Sequence, residues 1–307
     1  MIKGLRTYGA VVLAMIFWAF SFIWFKIANE TFRPLTIVFL RLVLAIIILT
    51  LFLVLTKNFQ KIRRSDRKLF LLLALFEPFL YFLGESYGLT YVSATVGSVL
   101  ISTIPVFAAL GAWVLFRERL KLINYAGIVL SFAGVLIFII DRSGSITYNF
   151  KGLGLLLLAV VSAVGYNLTL SRLVGKYSPV YIVNVQNLIG AVLFLPLFLI
   201  FELEHLKATQ FTVKNLTPVV ELALFASCGA FILFAYSVRK LGVARANVFT
   251  NFIPVFTAFF SFLILGDKLT AQNILGMAVV ITGIFLAQVN NRKRRSDDAL
   301  ILTGKTA

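Results

Sequence analysis

Ten runs of about 20 predominantly apolar residues, separated by short polar links, occupy most of this chain, and a helix rising 1.5 Å per residue needs about that many to cross a hydrocarbon layer. They fall at residues 7–28, 34–55, 69–89, 92–115, 122–140, 152–172, 178–201, 218–238, 245–265 and 271–289. Within a bilayer every backbone N–H and C=O must find its partner inside the protein, which leaves helices or a closed barrel. Continuous apolar runs of this length select the helix, so the expected fold is an all-α integral membrane protein. Composition agrees: 60% of residues are hydrophobic, 13% are charged and the mean hydropathy is +0.97. A soluble domain is nearer half apolar and one quarter charged. The first run has no small-residue cleavage site after it and reads as a retained helix rather than a signal peptide.

The formal net charge of +17 is large enough to suggest nucleic acid. Position argues otherwise, because most Lys and Arg lie in short links between apolar runs or in the tail Asn291-Arg292-Lys293-Arg294-Arg295. Basic links mark the cytoplasmic side of a membrane protein. With the N-terminus inside, 21 basic residues fall in cytoplasmic segments and 7 in external ones, the heaviest being the link with Lys57, Lys61, Arg63, Arg64, Arg67 and Lys68. Ten spans then place both termini in the cytoplasm. No nucleic-acid partner is expected, and the localisation implied is the cytoplasmic membrane.

A lone cysteine, Cys228, excludes an intrachain disulfide and a Cys-based metal site, and reads as a small packing residue. The one histidine, His205, lies in a polar link, so the usual zinc and His-based catalytic sets are missing. No catalytic residue, metal or cofactor is expected.

An internal repeat organises the runs. Ile-Pro-Val-Phe occurs at residues 104–107 and again at 253–256, a spacing of 149, and at that spacing Asn124 meets Asn273, Gly127 meets Gly276 and Gly134 meets Gly283. Earlier in each half the spacing is 145, pairing Pro34 with Pro179 and Arg41 with Gln186. Five spans is an odd number, so the second half must enter the membrane from the opposite side. The expected organisation is a first five-helix repeat at 1–148, an inverted second at 149–290 and a basic cytoplasmic tail at 291–307. Inverted repeats are a recurring plan of secondary transporters, which hold substrate near the midplane where the repeats meet.

The chain resembles the drug/metabolite transporter superfamily, in its ten-helix EamA-type branch. The matching features are Trp18 with Ser21, Phe39-Leu40-Arg41, both Ile-Pro-Val-Phe segments, and the turns Glu118-Arg119-Leu120 and Asp267-Lys268-Leu269. The resemblance covers residues 7 to 289 and rests on the repeated order of these features. It implies a cavity lined by helices one, three, four, six, eight and nine, with five and ten outside packing the halves.

Polar groups at membrane depth are costly and therefore informative. Glu77, Tyr81 and Glu85 recur every four residues, so one helical face can carry all three. Glu77 reads either as a proton-coupling group or ligand for a substrate ammonium, or as a packing residue paired with a basic or hydroxyl group. The remaining cavity candidates are Trp18, Ser21, Ser98, Tyr166, Asn167, Asn247 and Asn251, the last two one turn apart; each is open to helix-to-helix hydrogen bonding instead. Arg41 and Gln186 are structural polar candidates: the resemblance implies an Arg tying helices together, with direct substrate contact the alternative. Lys26 is expected to snorkel. Pro105 and Pro254 are candidate kinks, since each removes an N–H and frees the carbonyl four residues before it.

These features point to a secondary transporter of a small metabolite, exporting amino acids or related compounds by alternating access, with protons as possible co-substrate. A uniporter or facilitator is equally allowed. The other readings are a channel, which wants a continuous polar pore, and an intramembrane enzyme on lipid-linked substrates, which wants convergent reactive groups. Substrate identity and oligomeric state stay open.

Overall fold

The computed structural model describes residues 2–108, 110, 121–139, 149–268 and 270–288. The Glu118-Arg119-Leu120 turn, Leu269 and the basic tail lie outside them. The described residues form a bundle of helices: α1 (Ile2–Asn29), α2 (Pro34–Leu55), α3 (Arg67–Ala74, Leu75–Leu80 and Tyr81–Tyr91), α4 (Ala94–Ile101, then residues 104–108) and α5 (Leu122–Ile139). The second set is α6 (Phe150–Leu173), α7 (Pro179–Phe201), α8 (Val213–Glu221, Leu222–Ala230 and Phe231–Leu241), α9 (Val243–Val248, Phe249–Phe252 and Ile253–Ile264) and α10 (Ala271–Gln288). Seven helical stretches are long and apolar enough to cross a membrane, and Ala94–Ala108, Leu122–Ile137 and Ala271–Ala287 are shorter apolar helices.

Local sequence starts most of these helices. Ser93, Asn149 and Ser178 accept the N–H of Val96, Lys151 and Tyr181, and Thr212 with Asn215 forms a reciprocal capping box. Proline opens α2 and α7, where its missing N–H is harmless and its fixed φ suits the first turn. The first turn of α2 has no local side-chain cap. Its cap comes from Glu202, just past the end of α7, which accepts the Leu35 and Thr36 N–H groups at 3.2 and 2.6 Å. At the other end of the same antiparallel pair, Gln60 accepts the Ser178 N–H at 2.8 Å, while buried Asp66 takes Lys176 at 2.7 Å and the Tyr177 hydroxyl at 3.0 Å.

The helices pack in pairs. α2 lies against α7 and α5 against α10; α3 packs on α6, and α1 packs on α8 and α9. The α5–α10 seam is built from glycine: a Cβ on Gly127 would stand 2.2 Å from the Ala287 nitrogen, and one on Gly283 would stand 2.3 Å from the Ser131 nitrogen. Such an approach brings backbones into contact, as small residues do between membrane helices. Asn124 adds a hydrogen bond from its amide to the Ala287 carbonyl at 3.0 Å.

Burial is arranged for lipid rather than water. Large apolar side chains such as Ile47, Leu55, Val129, Ile200, Phe259 and Leu263 are exposed, whereas Arg41, Glu77, Glu85, Gln186 and Asn247 are buried. Lipid tails solvate the first group at little cost, and the second must be satisfied within the bundle.

Candidate functional site

The polar residues of the bundle interior converge beside an irregular turn of α3, and α8 carries a second such turn. In α3 the helical ladder widens over Leu75–Leu80, with Glu77 in an extended conformation at φ −149° and ψ 119°. Pro78, which has no N–H to give, sits inside this turn. It packs on Gly190 of α7, where a Cβ would lie 2.2 Å from the proline Cγ. In α8 the ladder widens over Leu222–Ala230, and at the 149-residue spacing Leu75–Leu80 falls on residues 224–229. Broken backbone at membrane depth is tolerated where protein buries it or where it lines a cavity.

A narrow cavity of about 50 Å³ lies beside the opening of α3. Trp18, Ser21 and Phe22 of α1 face it, with Arg41 of α2, Glu77, Tyr81, Phe82 and Glu85 of α3, and Ile101 and Ile104 of α4. From the second set come Ala163, Tyr166 and Asn167 of α6, Phe231 and Phe234 of α8, and Asn247, Thr250 and Ile253 of α9. The helices are those the resemblance implied, with α2 added through Arg41; α5 and α10 contribute nothing to the lining.

Arg41 is held by two contacts. Its Nε donates to Ser227 Oγ at 2.8 Å, and the guanidinium carbon stands 4.3 Å from the centroid of the Phe82 ring. A cation over an aromatic face is worth roughly 0.5–2 kcal/mol. The other nitrogens of Arg41 have no hydrogen-bond partner among the described residues, and no ion pair joins Arg41 to Glu77 or Glu85. Glu85 accepts the Tyr81 hydroxyl at 2.9 Å. Glu77 has no hydrogen-bond partner among the described residues, although it is 6% exposed. A base and an acid thus share one cavity without neutralising each other by contact.

Across from them, Asn167 of α6 donates its amide to Asn247 of α9 at 3.3 Å, joining two helices along the cavity wall. Tyr166 donates to Gln186 Oε1 at 3.4 Å. Gln186 is fully buried and outside the lining, in keeping with a structural role, while Arg41 both ties α2 to α8 and faces the cavity.

Eight of the ten cavity candidates are brought together here; Ser98 and Asn251 are not. Ser98 is fully buried and donates back to the Thr95 carbonyl at 2.8 Å. Asn251 fails because α9 tightens to a 3-10 turn over Phe249–Phe252, which has three residues per turn. The four-residue spacing from Asn247 therefore no longer returns to the same face. Asn251 is buried with neither amide atom partnered, and Thr250 takes the cavity position.

The candidate kinks take another form. Pro254 stands in the first turn of the α9 segment Ile253–Ile264, and Pro105 follows a non-helical step at residues 102 and 103. In both helices the irregular turn precedes the proline. Ser102, Thr103 and Thr250 donate their hydroxyls to the carbonyls of Val99, Leu100 and Asn247 at 2.7, 2.6 and 2.7 Å. Lys26 is half-buried, and its Nζ donates to the Leu89 carbonyl at the end of α3. Sequence reasoning did not find Ser227, Glu202 or the opening of α3 at Glu77; the Glu77-Pro78 step was the available signal for the last.

Membrane-length helices enclosing an ionisable cavity, with an apolar exterior, define a multi-pass membrane protein of the transporter type. The model of the EamA-like transporter family matches this chain twice, over residues 5–140 and 150–288. The chain belongs to that family, within the drug/metabolite transporter superfamily. It is 26% identical over 276 residues to an uncharacterized transporter of Archaeoglobus fulgidus, covering 90% of this chain and 96% of that protein. It is 27% identical over 261 residues to the uncharacterized transporter YetK of Bacillus subtilis, covering 84% and 78%. A WAT1-related chloroplastic protein of Arabidopsis thaliana is 29% identical over 210 residues, covering 65% of this chain and 49% of that protein. A solved crystal structure shares the fold with a TM-score of 0.66 at 15% identity, over 95% of this chain and 99% of its own.

Proposed function

We propose that this transporter is a secondary exporter of amino acids or related small metabolites, working by alternating access across the cytoplasmic membrane. The observation that carries the reading is a cavity among the described residues in which Arg41, Glu77 and Glu85 meet polar groups of α6 and α9, Asn167 and Asn247. Intramembrane ionisable residues facing such a cavity mark solute or proton paths in transporters. Glu77, unpartnered at the opening of α3, is the group we assign to substrate ammonium or to a coupling proton. Aromatic walls from Trp18, Tyr81 and Tyr166 suit an apolar side chain.

Ten spans in two inverted halves, at residues 1–148 and 149–290 with both termini and the tail at 291–307 in the cytoplasm, is the organisation this mechanism needs. The double family match supports it. So does the packing: exchanging the halves turns α3 on α6 into α8 on α1, and leaves the antiparallel pairs α2–α7 and α5–α10 as they are. Pro105 and Pro254, at matched points of α4 and α9, are the proposed hinges between the two accessible states.

The reading is tested with purified protein in vesicles preloaded with a labelled mixture of amino acids and cell metabolites. Saturable flux that unlabelled solute on the far side accelerates is the expected result. Conductance without saturation would overturn alternating access in favour of a channel. Flux that equilibrates under every imposed ion gradient would replace coupled export with a facilitator.

A further inference from the structure

We propose that Arg41 is the anion-binding group of this cavity, taking the carboxylate of the substrate on its terminal guanidinium nitrogens while Glu77 takes a positive group. The inference rests on the transport reading and narrows its substrate class to small zwitterions.

Three observations lead there. First, Arg41 is 3% exposed yet lines the cavity. A guanidinium keeps its proton in any protein environment, so the charge itself cannot be shed. Second, its two contacts spend little of its donor capacity. Ser227 occupies Nε, Phe82 covers one face, and both Nη groups stay free of protein acceptors among the described residues. Those contacts also fix the plane of the group, so its remaining donors are presented in a set orientation. An arginine that served only to join helices would be expected to use its Nη donors on carbonyls or carboxylates, since leaving them unmet in the bundle is costly.

Third, the carboxylates at hand do not take up this role. Glu85 is engaged by the Tyr81 hydroxyl, and neither Glu85 nor Glu77 forms an ion pair with Arg41. The cavity therefore holds a fork of donors suited to a planar carboxylate, and separately a carboxylate suited to a cation. Bidentate pairing of arginine with carboxylate is strong and directional. A molecule bearing both charges complements the two at once, with its side chain against Trp18, Phe231 and Phe234.

The experiment compares L-phenylalanine and L-leucine with their amides, which keep the ammonium and lose the carboxylate, as counterflow substrates in vesicles. Wild type should favour acid over amide by about tenfold or more, the scale of one charge-assisted hydrogen-bonded contact. In Arg41→Gln and Arg41→Met the preference should fall to about unity, by a rise in KM for the acid with the amide unchanged, as expected for a lost binding contact. Two neutral replacements are used so that either folded one gives the answer. Ser227→Ala removes only the Nε partner: it should lower thermal stability and reduce the acid preference only in part, because Phe82 still holds the plane of the group.

Retention of the preference in a folded Arg41 variant overturns the assignment. So does its equal loss in Ser227→Ala, which would make Arg41 a purely structural tie. Wild type that moves other metabolites but ignores the acids, or moves acid and amide alike, overturns the carboxylate subsite and leaves transport standing. Wild type that moves nothing from the full metabolite mixture overturns the transport reading itself, and the subsite with it.

Discussion

Glu202 Oε2 accepts both the backbone N–H of Thr36, at 2.6 Å, and its hydroxyl, at 2.8 Å, although the two residues are 166 positions apart. The carboxylate is buried, and Oε1 takes the Leu35 N–H as well. The acid thus serves α2 as a cap that its own sequence does not supply, with the negative charge at the positive end of the helix dipole. Glu202→Ala should cost roughly 2–4 kcal/mol, combining a lost cap with unmet buried donors, and Glu202→Gln roughly half of that. Thermal melts in detergent should rank wild type above Gln above Ala; equal melting of all three would mean that the α2 terminus is satisfied another way.

The glycine seam between α5 and α10 makes a sharper steric claim. Gly283→Ala places a methyl against the Ser131 backbone, which cannot move as a flexible side chain can. Overpacking of this kind costs typically about 1–3 kcal/mol. Gly154, by contrast, has nothing within 4 Å of its added Cβ, so Gly154→Ala in α6 should be neutral or gain up to about 1 kcal/mol from helix propensity. The melting temperature should fall for Gly283→Ala and hold or rise for Gly154→Ala.

Glu77 carries a functional prediction. If it is the coupling acid, Glu77→Gln should abolish accumulation driven by a pH gradient while leaving exchange of substrate measurable. The groups around it, Glu85, Arg41, Tyr81 and Tyr166, stay in place in this variant. A Glu77→Gln protein with unchanged gradient-driven accumulation would transfer the coupling role to Glu85 or remove it.

The inverted organisation proposed above predicts sidedness. A reporter fused after Lys68 should be cytoplasmic and one near Lys207 external; finding both on one side would remove the inversion.

Much of the fold was legible in the chain because hydropathy, caps and prolines act locally. The run at 34–55 coincides with Pro34–Leu55, and α6 and α7 begin within two residues of their expected starts. Gly127, Gly134, Gly276 and Gly283 announced the α5–α10 contact, since glycine at helical spacing has little other use in an apolar helix. The candidate site was legible where a regular helix links spacing to facing, as for Tyr81 and Glu85; Glu77 reaches the same cavity although it stands in the widened turn of α3. The site was not legible where α9 changes pitch: Asn251 is turned away by the 3-10 step there. Arg41 was read as a tie between helices, and its contact with Ser227 agrees; its unspent Nη groups depend on which distant residues come near, and no spacing within α2 encodes that.

The Arg41–Ser227 contact spans 186 residues of sequence, and this bears on how the protein is made. During synthesis α2 is complete long before α8 leaves the ribosome, so a permanent cation must wait in or near the bilayer for its hydroxyl partner. The Thr36 cap waits likewise for Glu202. The amino-terminal five helices therefore form an unfinished product, dependent on the insertion machinery or on water at the membrane surface until the remainder arrives. Splitting the gene between α5 and α6 exposes that dependence: the first fragment alone should be cleared by quality-control proteases, and co-expression of the second should protect it.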